Sequence, residues 1–280
     1  MLGDAVVAAF RGFSGDVIVS TRNETLDGFP SGFEVVRFEA GKDNVALALD
    51  SLEPGDFVVN CIGIIKTAID ETDLKSRNRA VQINSKFPAE LSRFAELRDL
   101  RVIQIATDCV FSGQKGNYSE TDPHDPVDLY GASKSAGEIK SASMMHLRVS
   151  IIGREKRGFS SLFEWVGRQK PNAEIVGFTN HYWNGIPAIH FGQLARVIVE
   201  QGFFEAGTHH ILPNDRVTKA QLVRLIANHV GRMDISIADG RAADSIDRTL
   251  TTNNPAFNNK LWAAARRATV PTVAELVAEI

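Results

Sequence analysis

Tyr130 and Lys134 are the residues whose types and spacing point most directly to chemistry. Residues four apart lie on one face of a helix, so a helix through this segment places a phenol beside an ammonium group. A neighbouring cation favours the phenolate and lowers the pKa of the phenol, which suits a proton donor to a carbonyl under reduction. Thr107 ends an apolar, strand-like run and offers a hydroxyl to the same carbonyl oxygen. These three residues are the predicted catalytic set.

The spacing of Tyr130 and Lys134 alone would also fit an ordinary amphipathic pair on a helix surface. The order of the surrounding segments strengthens the catalytic interpretation. An apolar run at 102–106 leads into Thr-Asp-Cys-Val-Phe at 107–111, and a polar loop over 112–128 follows. Then come Tyr-Gly-Ala-Ser-Lys at 130–134 and Gly-Glu at 137–138. This combination resembles the extended short-chain dehydrogenases/reductases, and most closely the dTDP-4-dehydrorhamnose reductase family. The similarity extends, more weakly, over nearly the whole chain.

Length and composition indicate an ordinary globular protein of 280 residues, 44% hydrophobic and 23% charged, with a net charge of −3. There is no basic excess that would indicate a nucleic-acid partner. No apolar stretch approaches the roughly 20 residues of a membrane span, and the first residues do not resemble a leader. Cys61 and Cys109 lie in or beside apolar runs and are expected to be free thiols. We therefore predict a cytoplasmic protein without a membrane partner.

Helix and strand patterns alternate in the first half of the chain, as in a parallel sheet covered by helices. Strands are predicted at 17–20, 34–38, 57–62, 102–106 and 146–150, and helices at 3–13, 43–52, 74–97 and around residue 130. Beyond residue 153 a helix opens at 158–163, a loop covers 179–187, and helices follow at 190–201, 218–230 and 272–280. We predict an α/β fold with a Rossmann-like, doubly wound parallel sheet in residues 1–153. A smaller, mainly substrate-binding lobe is predicted in residues 154–280, with a crossover back to the sheet left open.

The front of the chain departs from a complete dinucleotide-binding unit, in which a strand and a Gly-rich loop precede the first helix. In the family this loop commonly ends in Met-Leu-Gly, so Leu2 and Gly3 resemble its tail and are predicted cofactor contacts. Roughly ten residues of strand and loop are then expected upstream. A misplaced start or gene fragment is favoured over another cofactor arrangement or an inactive relative, because the downstream site residues are unspoiled. Weak or absent NADPH binding is expected of the chain as printed.

Arg22 follows the second strand of such a unit, where NAD is held by an acidic residue and NADP needs positive charge. A solvated loop arginine would look the same, but we predict NADP(H) as the cofactor. The resemblance implies further cofactor contacts after the following strands, in the long helix and in the catalytic helix. They are Phe38, Glu39, Cys61, Ile62, Gly63, Asn84, Tyr130 and Lys134.

Cys109 bears on the reaction, because related dehydratases carry an Asp-Glu pair where this chain has Asp108 and Cys109. Elimination requires an acid and a base besides the tyrosine, whereas reduction needs a hydride, a proton and support for the carbonyl oxygen. The resemblance therefore implies reduction of a nucleotide-linked keto-sugar, in dTDP-rhamnose, deoxysugar or surface polysaccharide biosynthesis. A nucleotide-sugar epimerase or dehydratase is the less favoured alternative.

Substrate contacts implied by the resemblance lie at two strand ends and in the second half of the chain. They are Asp108, Val110, Phe111, Arg148, Ser150, Trp183 and Arg248. Residues 179–185 depart from the family pattern, which leaves the sugar and the base open. No set of His, Cys, Asp and Glu has zinc spacing, so no metal is predicted. The alternative class is a non-catalytic, nucleotide-binding regulatory protein on the same scaffold, and the candidate assembly is a homodimer.

Overall fold

Short parallel strands separated by helices form the first half of the molecule, as the alternation of patterns predicts. The computed structural model describes residues 1–23, 29, 31–156 and 158–280. The strands are β1 Ile18–Thr21, β2 Glu34–Arg37, β3 Phe57–Asn60, β4 Arg101–Ala106, β5 Met144–Arg148, β6 Ile151–Ile152, β7 Glu174–Phe178, β8 His181–Trp183, β9 Ile186–Pro187, β10 Gly207–His210, β11 Val217–Thr218, β12 Ser236–Gly240 and β13 Ile246–Asp247.

The helices follow the predicted positions closely, with one continuous helical run at 74–98 that contains a π-helical turn, Gln82–Lys86. They are α1 Leu2–Ala9, α2 Val45–Ala48, α3 Leu74–Val81, α4 Phe87–Arg98, α5 Leu129–Ala136, α6 Leu162–Gly167, α7 Ala188–Gln201, α8 Lys219–His229, α9 Pro255–Ala264 and α10 Val273–Ala278. Two 3-10 turns lie at Lys66–Ala68 and Asp108–Val110. None of the helices in the described ranges is long and apolar enough to cross a membrane.

The central sheet has the order β10-β5-β4-β3, and all its strands are parallel. Val102 and Ile103 of β4 are completely buried, because helices or neighbouring strands cover them from every side. Ala106 at the end of β4 lies opposite Arg148 at the end of β5. The residues that follow these two strands therefore share one edge of the sheet. This confirms the predicted Rossmann-like α/β class.

Among the described residues, β1 and β2 form a second, two-stranded parallel sheet. A cavity of about 960 Å³ lies between it and the central sheet. Both β1 and β3 contribute residues to the cavity wall, among them Val19 and Val58, and helix α1 contributes Val6 and Phe10. Strands β1 and β3 therefore line the cavity from two sides and belong to different sheets.

The second half of the chain returns to the central sheet through β10, which pairs with β5. Helix α7 packs on α1, and Gly192 allows this because a side chain there would meet the Ala5 carbonyl oxygen at 2.7 Å. The other C-terminal strands form three small sheets, β11-β8-β13, β12-β7 and β6-β9. The crossover is therefore present, and the boundary at residue 153 stays a prediction.

Several elements differ from the sequence prediction, including short C-terminal strands that were not predicted and α2, which is shorter than the predicted 43–52. The predicted loop at 179–187 contains β8 and β9, because β8 pairs with residues far along the chain, in β11 and β13. Helix α9 was not predicted, although its start carries the expected signals. Pro255 is its first residue, and Asn254 Oδ1 accepts a hydrogen bond of 3.1 Å from the Phe257 N–H.

Candidate active site

Thr107 directly follows β4 and caps the 3-10 turn Asp108–Val110. Its Oγ1 accepts a hydrogen bond of 3.2 Å from the Cys109 N–H and donates one of 3.2 Å to Asp108 Oδ1. The residue is only 6% exposed. The Thr107 hydroxyl is therefore fixed at the carboxyl edge of the central sheet.

Helix α5 delivers Tyr130 to this same turn. Asp128 caps the helix through a hydrogen bond of 2.8 Å from the Gly131 N–H, and Lys66 pairs with the other carboxylate oxygen of Asp128 at 2.8 Å. A Cβ added at Gly131 would overlap the carbonyl oxygen of Cys109. Only glycine permits so close an approach, so the helix start lies directly against the turn that carries Thr107.

The Tyr130 phenol is shielded from water, and burial raises its pKa above the ordinary value. The neighbouring Cys109 and Asp108 raise the pKa further, while hydrogen bonding with Thr107 opposes the rise. The expected net lowering of the phenol pKa is wrong for this structure, because burial is the largest effect on Tyr130 and raises its pKa. Tyr130 is therefore fully protonated at neutral pH, which is the state that a proton donor requires.

Lys134 points back toward the sheet. Its Nζ donates a hydrogen bond of 2.8 Å to the carbonyl oxygen of Ile105 in β4, and the side chain is buried. Burial lowers the pKa of Lys134 to about 8, while Glu138 and Cys61 oppose the change. The ammonium group therefore lies behind the tyrosine, between β4 and the residues that follow β3.

Asn84 lies in the π-helical turn and joins the segment after β3 to the catalytic helix. Its Oδ1 accepts a hydrogen bond of 2.8 Å from the Ile64 N–H, and its Nδ2 donates to the Ile64 carbonyl and to Ser133 Oγ, both at 3.0 Å. Such π turns occur frequently at functional sites. Asn84 thus holds the residue next to Lys134 in place.

The start of α1 meets this group of residues from the other side. The site for a Cβ on Gly3 lies 3.9 Å from the Cβ of Cys61. Burial raises the pKa of the Cys61 thiol to about 12, and both Lys134 and the amino group of Met1 act against the rise. Gly63 lies near Asn84 as well. Predicted cofactor residues from α1, the β3 end and α5 therefore come together.

The substrate side of the turn carries two positive side chains. Arg248 Nε donates a hydrogen bond of 2.8 Å to the Phe111 carbonyl. Burial raises the pKa of Asp108, and the charges of Arg248 and Lys219 oppose this rise. Lys219 was missed by sequence reasoning. The available signal was its position as the first residue of α8, where a cation is unfavourable for the helix dipole.

The sequence model of one protein family, the RmlD substrate binding domain, matches residues 39–241. The chain belongs to this family. Membership confirms the resemblance seen in the sequence and the assignment to a family of sugar-nucleotide reductases.

At the sequence level, the chain is 24% identical over 257 residues to a probable low-salt glycan biosynthesis reductase, Agl14, of Haloferax volcanii, covering 89% of this chain and 83% of the relative. It is 33% identical over 98 residues to a dTDP-4-dehydrorhamnose reductase of Aggregatibacter actinomycetemcomitans, covering 35% of this chain and 32% of the relative.

Solved structures share the fold of this RmlD-family chain. A dTDP-4-dehydrorhamnose reductase from Bacillus anthracis, in complex with NADP, superposes with a TM-score of 0.70 at 18% identity, covering 94% of this chain and 97% of that one. MoeE5 in complex with UDP-glucose and NAD superposes with a TM-score of 0.73 at 17% identity, covering 99% and 93%. A UDP-galactose 4-epimerase reaches 0.68 at 18% identity, covering 100% and 93%. The fold is therefore common to enzymes with different reactions.

Other predicted cofactor residues of the RmlD-family chain lie on the two-stranded sheet. Arg22 is exposed directly after β1. The Phe38 side chain is 6% exposed, its ring lies 5.7 Å from that of Phe87, and it borders the cavity between the two sheets. Glu39 pairs with Lys42 at 3.0 Å. Thus only Arg22 of this set presents an open side chain.

The predicted contacts of the Val110 and Phe111 side chains with substrate do not hold in this structure. Both side chains are completely buried, and the Phe111 ring stacks on Tyr118 with 4.2 Å between centroids. Their role in this structure is to pack the loop that follows the turn, because no part of either side chain faces open space.

The predicted contact of Arg148 with substrate does not hold either, since this residue is only 1% exposed. Its guanidinium donates to Glu138 at 2.6 Å and to the Nε2 atoms of His210 and His124 at 2.7 and 2.8 Å. These buried partners occupy its donors, so Arg148 holds together β5, β10 and the loop before α5. Of the predicted substrate set, Asp108, Ser150, Trp183 and Arg248 remain near the turn.

Proposed function

We propose that this protein reduces the ring ketone of a nucleotide-linked keto-sugar with NADPH, in deoxysugar or surface polysaccharide biosynthesis. The observation that carries the proposal is the close packing of α5 on the turn after β4, which places the helix start that bears Tyr130 against the turn that bears Thr107. Relatives named as dTDP-4-dehydrorhamnose reductases and the NADP held by the Bacillus anthracis enzyme support it. A cytoplasmic location and a homodimeric assembly stay predictions.

The residues that would hold the cofactor suit a dinucleotide. The start of α1, at Leu2 and Gly3, offers backbone N–H groups and the positive end of a helix dipole, which favour a pyrophosphate. Segment 61–63 and Lys134 lie beside this helix start. Arg22 would provide the positive charge for the additional phosphate of NADP. When bound, NADPH supplies the hydride for the carbonyl carbon.

Side chains of the protein donate a hydrogen bond and a proton to the carbonyl oxygen. The Thr107 hydroxyl, which now donates to Asp108, would donate a hydrogen bond to that oxygen. Tyr130, which is protonated at neutral pH, gives its proton to the same oxygen as the alcohol forms. The buried positive charge of Lys134 then favours the phenolate that remains.

The residues next to Thr107 favour reduction over elimination. Burial raises the pKa of the Cys109 thiol to about 12, and the pKa of Asp108 is raised as well. The Cys109 thiol is therefore not a ready base at neutral pH, and the second carboxylate that the related dehydratases carry at this position is missing.

The test is oxidation of NADPH in the presence of a panel of nucleotide-linked keto-sugars, with Tyr130→Phe as the variant. The phenylalanine keeps the packing and removes the proton, so turnover is expected to fall by about 10²- to 10⁴-fold. Tyr182→Phe is the matched control, because Tyr182 lies in β8 and removal of its hydroxyl should leave turnover unchanged.

Normal turnover by Tyr130→Phe would contradict the mechanism. Binding of both NADPH and a nucleotide sugar without any NADPH oxidation would instead favour the non-catalytic alternative. Interconversion of sugar epimers without net oxidation of NADPH would indicate the epimerase reaction.

A further inference from the structure

Lys219 occupies a position that reduces the stability of its own helix. It is the first residue of α8, directly after the cap Thr218, whose Oγ1 accepts a hydrogen bond of 3.2 Å from the Gln221 N–H. The N-terminus of a helix carries partial positive charge, so a lysine there is repelled by the helix. A function other than stability is needed to explain this residue.

The surroundings of Lys219 form one wall beside the catalytic turn. Its Nζ lies 5.8 Å from the centroid of the Trp183 ring, and the Trp183 indole N–H donates a hydrogen bond of 2.9 Å to Ser150 Oγ. Burial lowers the pKa of Lys219, whereas the nearby Asp108 and Cys109 oppose this change. The ammonium group is thus held by an anchored aromatic ring and faces the residues that follow Thr107.

Arg248 approaches the same residues from β13. Its Nε is hydrogen-bonded to the Phe111 carbonyl, and its charge also acts on Asp108, Cys109 and Asp128. Within the described ranges, neither Arg248 nor Lys219 has a carboxylate within 4.0 Å. Arg216, by contrast, pairs with Asp247 at 3.1 Å.

The local balance of charge is therefore positive. Arg248 acts on two carboxylates, but Asp128 is already paired with Lys66 at 2.8 Å. Lys219 and Arg248 are therefore left with Asp108, whose own burial favours its neutral form. Cations that are partly withdrawn from water without a close ion pair reduce stability. An anion placed between them would remove this cost and gain charge-assisted hydrogen bonds.

We propose that Lys219 and Arg248 form a subsite for an oxyanion of the sugar nucleotide, either a phosphate of its diphosphate or a carboxylate on its sugar. The inference rests on the proposed function, because it places this anion beside the turn that would hold the ketone. Lys219 thereby becomes a substrate-binding residue that determines specificity for charged ligands over neutral ones.

The test compares the full chain with Lys219→Met in calorimetric titrations with four ligands. These are UDP, UDP-glucose, UDP-glucuronate and the uncharged nucleoside uridine. Loss of one hydrogen bond to a charged group is expected to weaken the charged ligands by about tenfold to hundredfold. Weaker binding of UDP identifies the phosphate as the anion, and weaker binding of UDP-glucuronate alone identifies the sugar carboxylate.

Lys260→Met is the matched control, because Lys260 also lies over an aromatic ring, that of Phe203 at 3.7 Å, and is far along the chain in α9. The Lys260→Met variant should bind all four ligands with the affinity of the wild type. Thermal unfolding provides a second measurement. A merely structural lysine would lower the Tm when replaced, whereas the subsite predicts an equal or higher Tm for Lys219→Met.

Unchanged affinity of Lys219→Met for every charged ligand would overturn the subsite, and so would a wild-type chain that binds none of them. An equal loss of affinity for uridine would also overturn it. The proposed function fails separately, through absent ketone reduction by a wild-type chain that binds these nucleotides.

Discussion

The central sheet and the two-stranded sheet are built from similar apolar strands, yet they differ in how completely those strands are covered. Val102 in β4 is completely buried between partners, whereas Val19 in β1 borders the cavity of about 960 Å³. The residues expected to act on the carbonyl follow or pack on the central sheet, and Arg22 follows β1. Under the proposed function, the chemistry would rest on the closely packed region and cofactor discrimination on the less completely packed one.

Arginines at the ends of β5 and β2 provide the largest test of this difference. Arg148→Met should reduce the free energy of unfolding by about 3–5 kcal/mol, because it leaves Glu138 buried without its partner. Arg37→Met should cost less than about 1 kcal/mol, since Arg37 pairs with Glu39 and Asp43 at 3.9 and 3.6 Å on an exposed surface. Urea unfolding measures both, and equal losses would remove the distinction between the regions.

Gly131→Ala tests whether close backbone packing places the tyrosine. The added methyl group must push α5 away from the Cys109 carbonyl, and a displacement of about 1 Å is expected to lower kcat by about 10²-fold. Gly167→Ala is the control, because a Cβ at that position in α6 meets no atom within 4 Å. Steady-state kinetics on a keto-sugar substrate measures the effect, with circular dichroism as the check of folding. Wild-type kcat in Gly131→Ala would refute the role of this contact.

A pair of valine truncations gives the smallest expected effects. Val102→Ala should cost about 2 kcal/mol, from lost burial and the space left behind. Val19→Ala should cost less than about 1 kcal/mol, because its side chain already borders a cavity and has fewer contacts to lose. The difference between the two urea midpoints measures the difference in packing, and a larger loss at Val19 would reverse the comparison.

The parts of the site that were predictable depend on neighbours close in sequence. Thr107 follows a strand whose apolar run is plain, and Tyr130 and Lys134 share a helix because of their spacing. Hydrogen bonds to distant residues were not predictable. The chain order does not show that Lys134 donates to Ile105, or that Arg148 is enclosed by His124 and His210.

Two further errors have the same physical origin. The aromatic segment that became β8 looked like a loop because its partners, β11 and β13, are far along the chain. Lys219 was not singled out from the sequence. Its unusual position became visible only when the fold brought it to Trp183 and Asp108.

The contact between Gly131 and Cys109 has a consequence for how this site can evolve. It joins α5 to a carbonyl of the main chain, so no exchange of side chains on the opposite side can compensate for a larger residue at position 131. The side chain at position 109 takes no part in that contact, so a substitution there leaves the contact in place. We therefore expect descendants of this fold to acquire new acid–base chemistry at position 109 while the placement of the tyrosine is inherited unchanged.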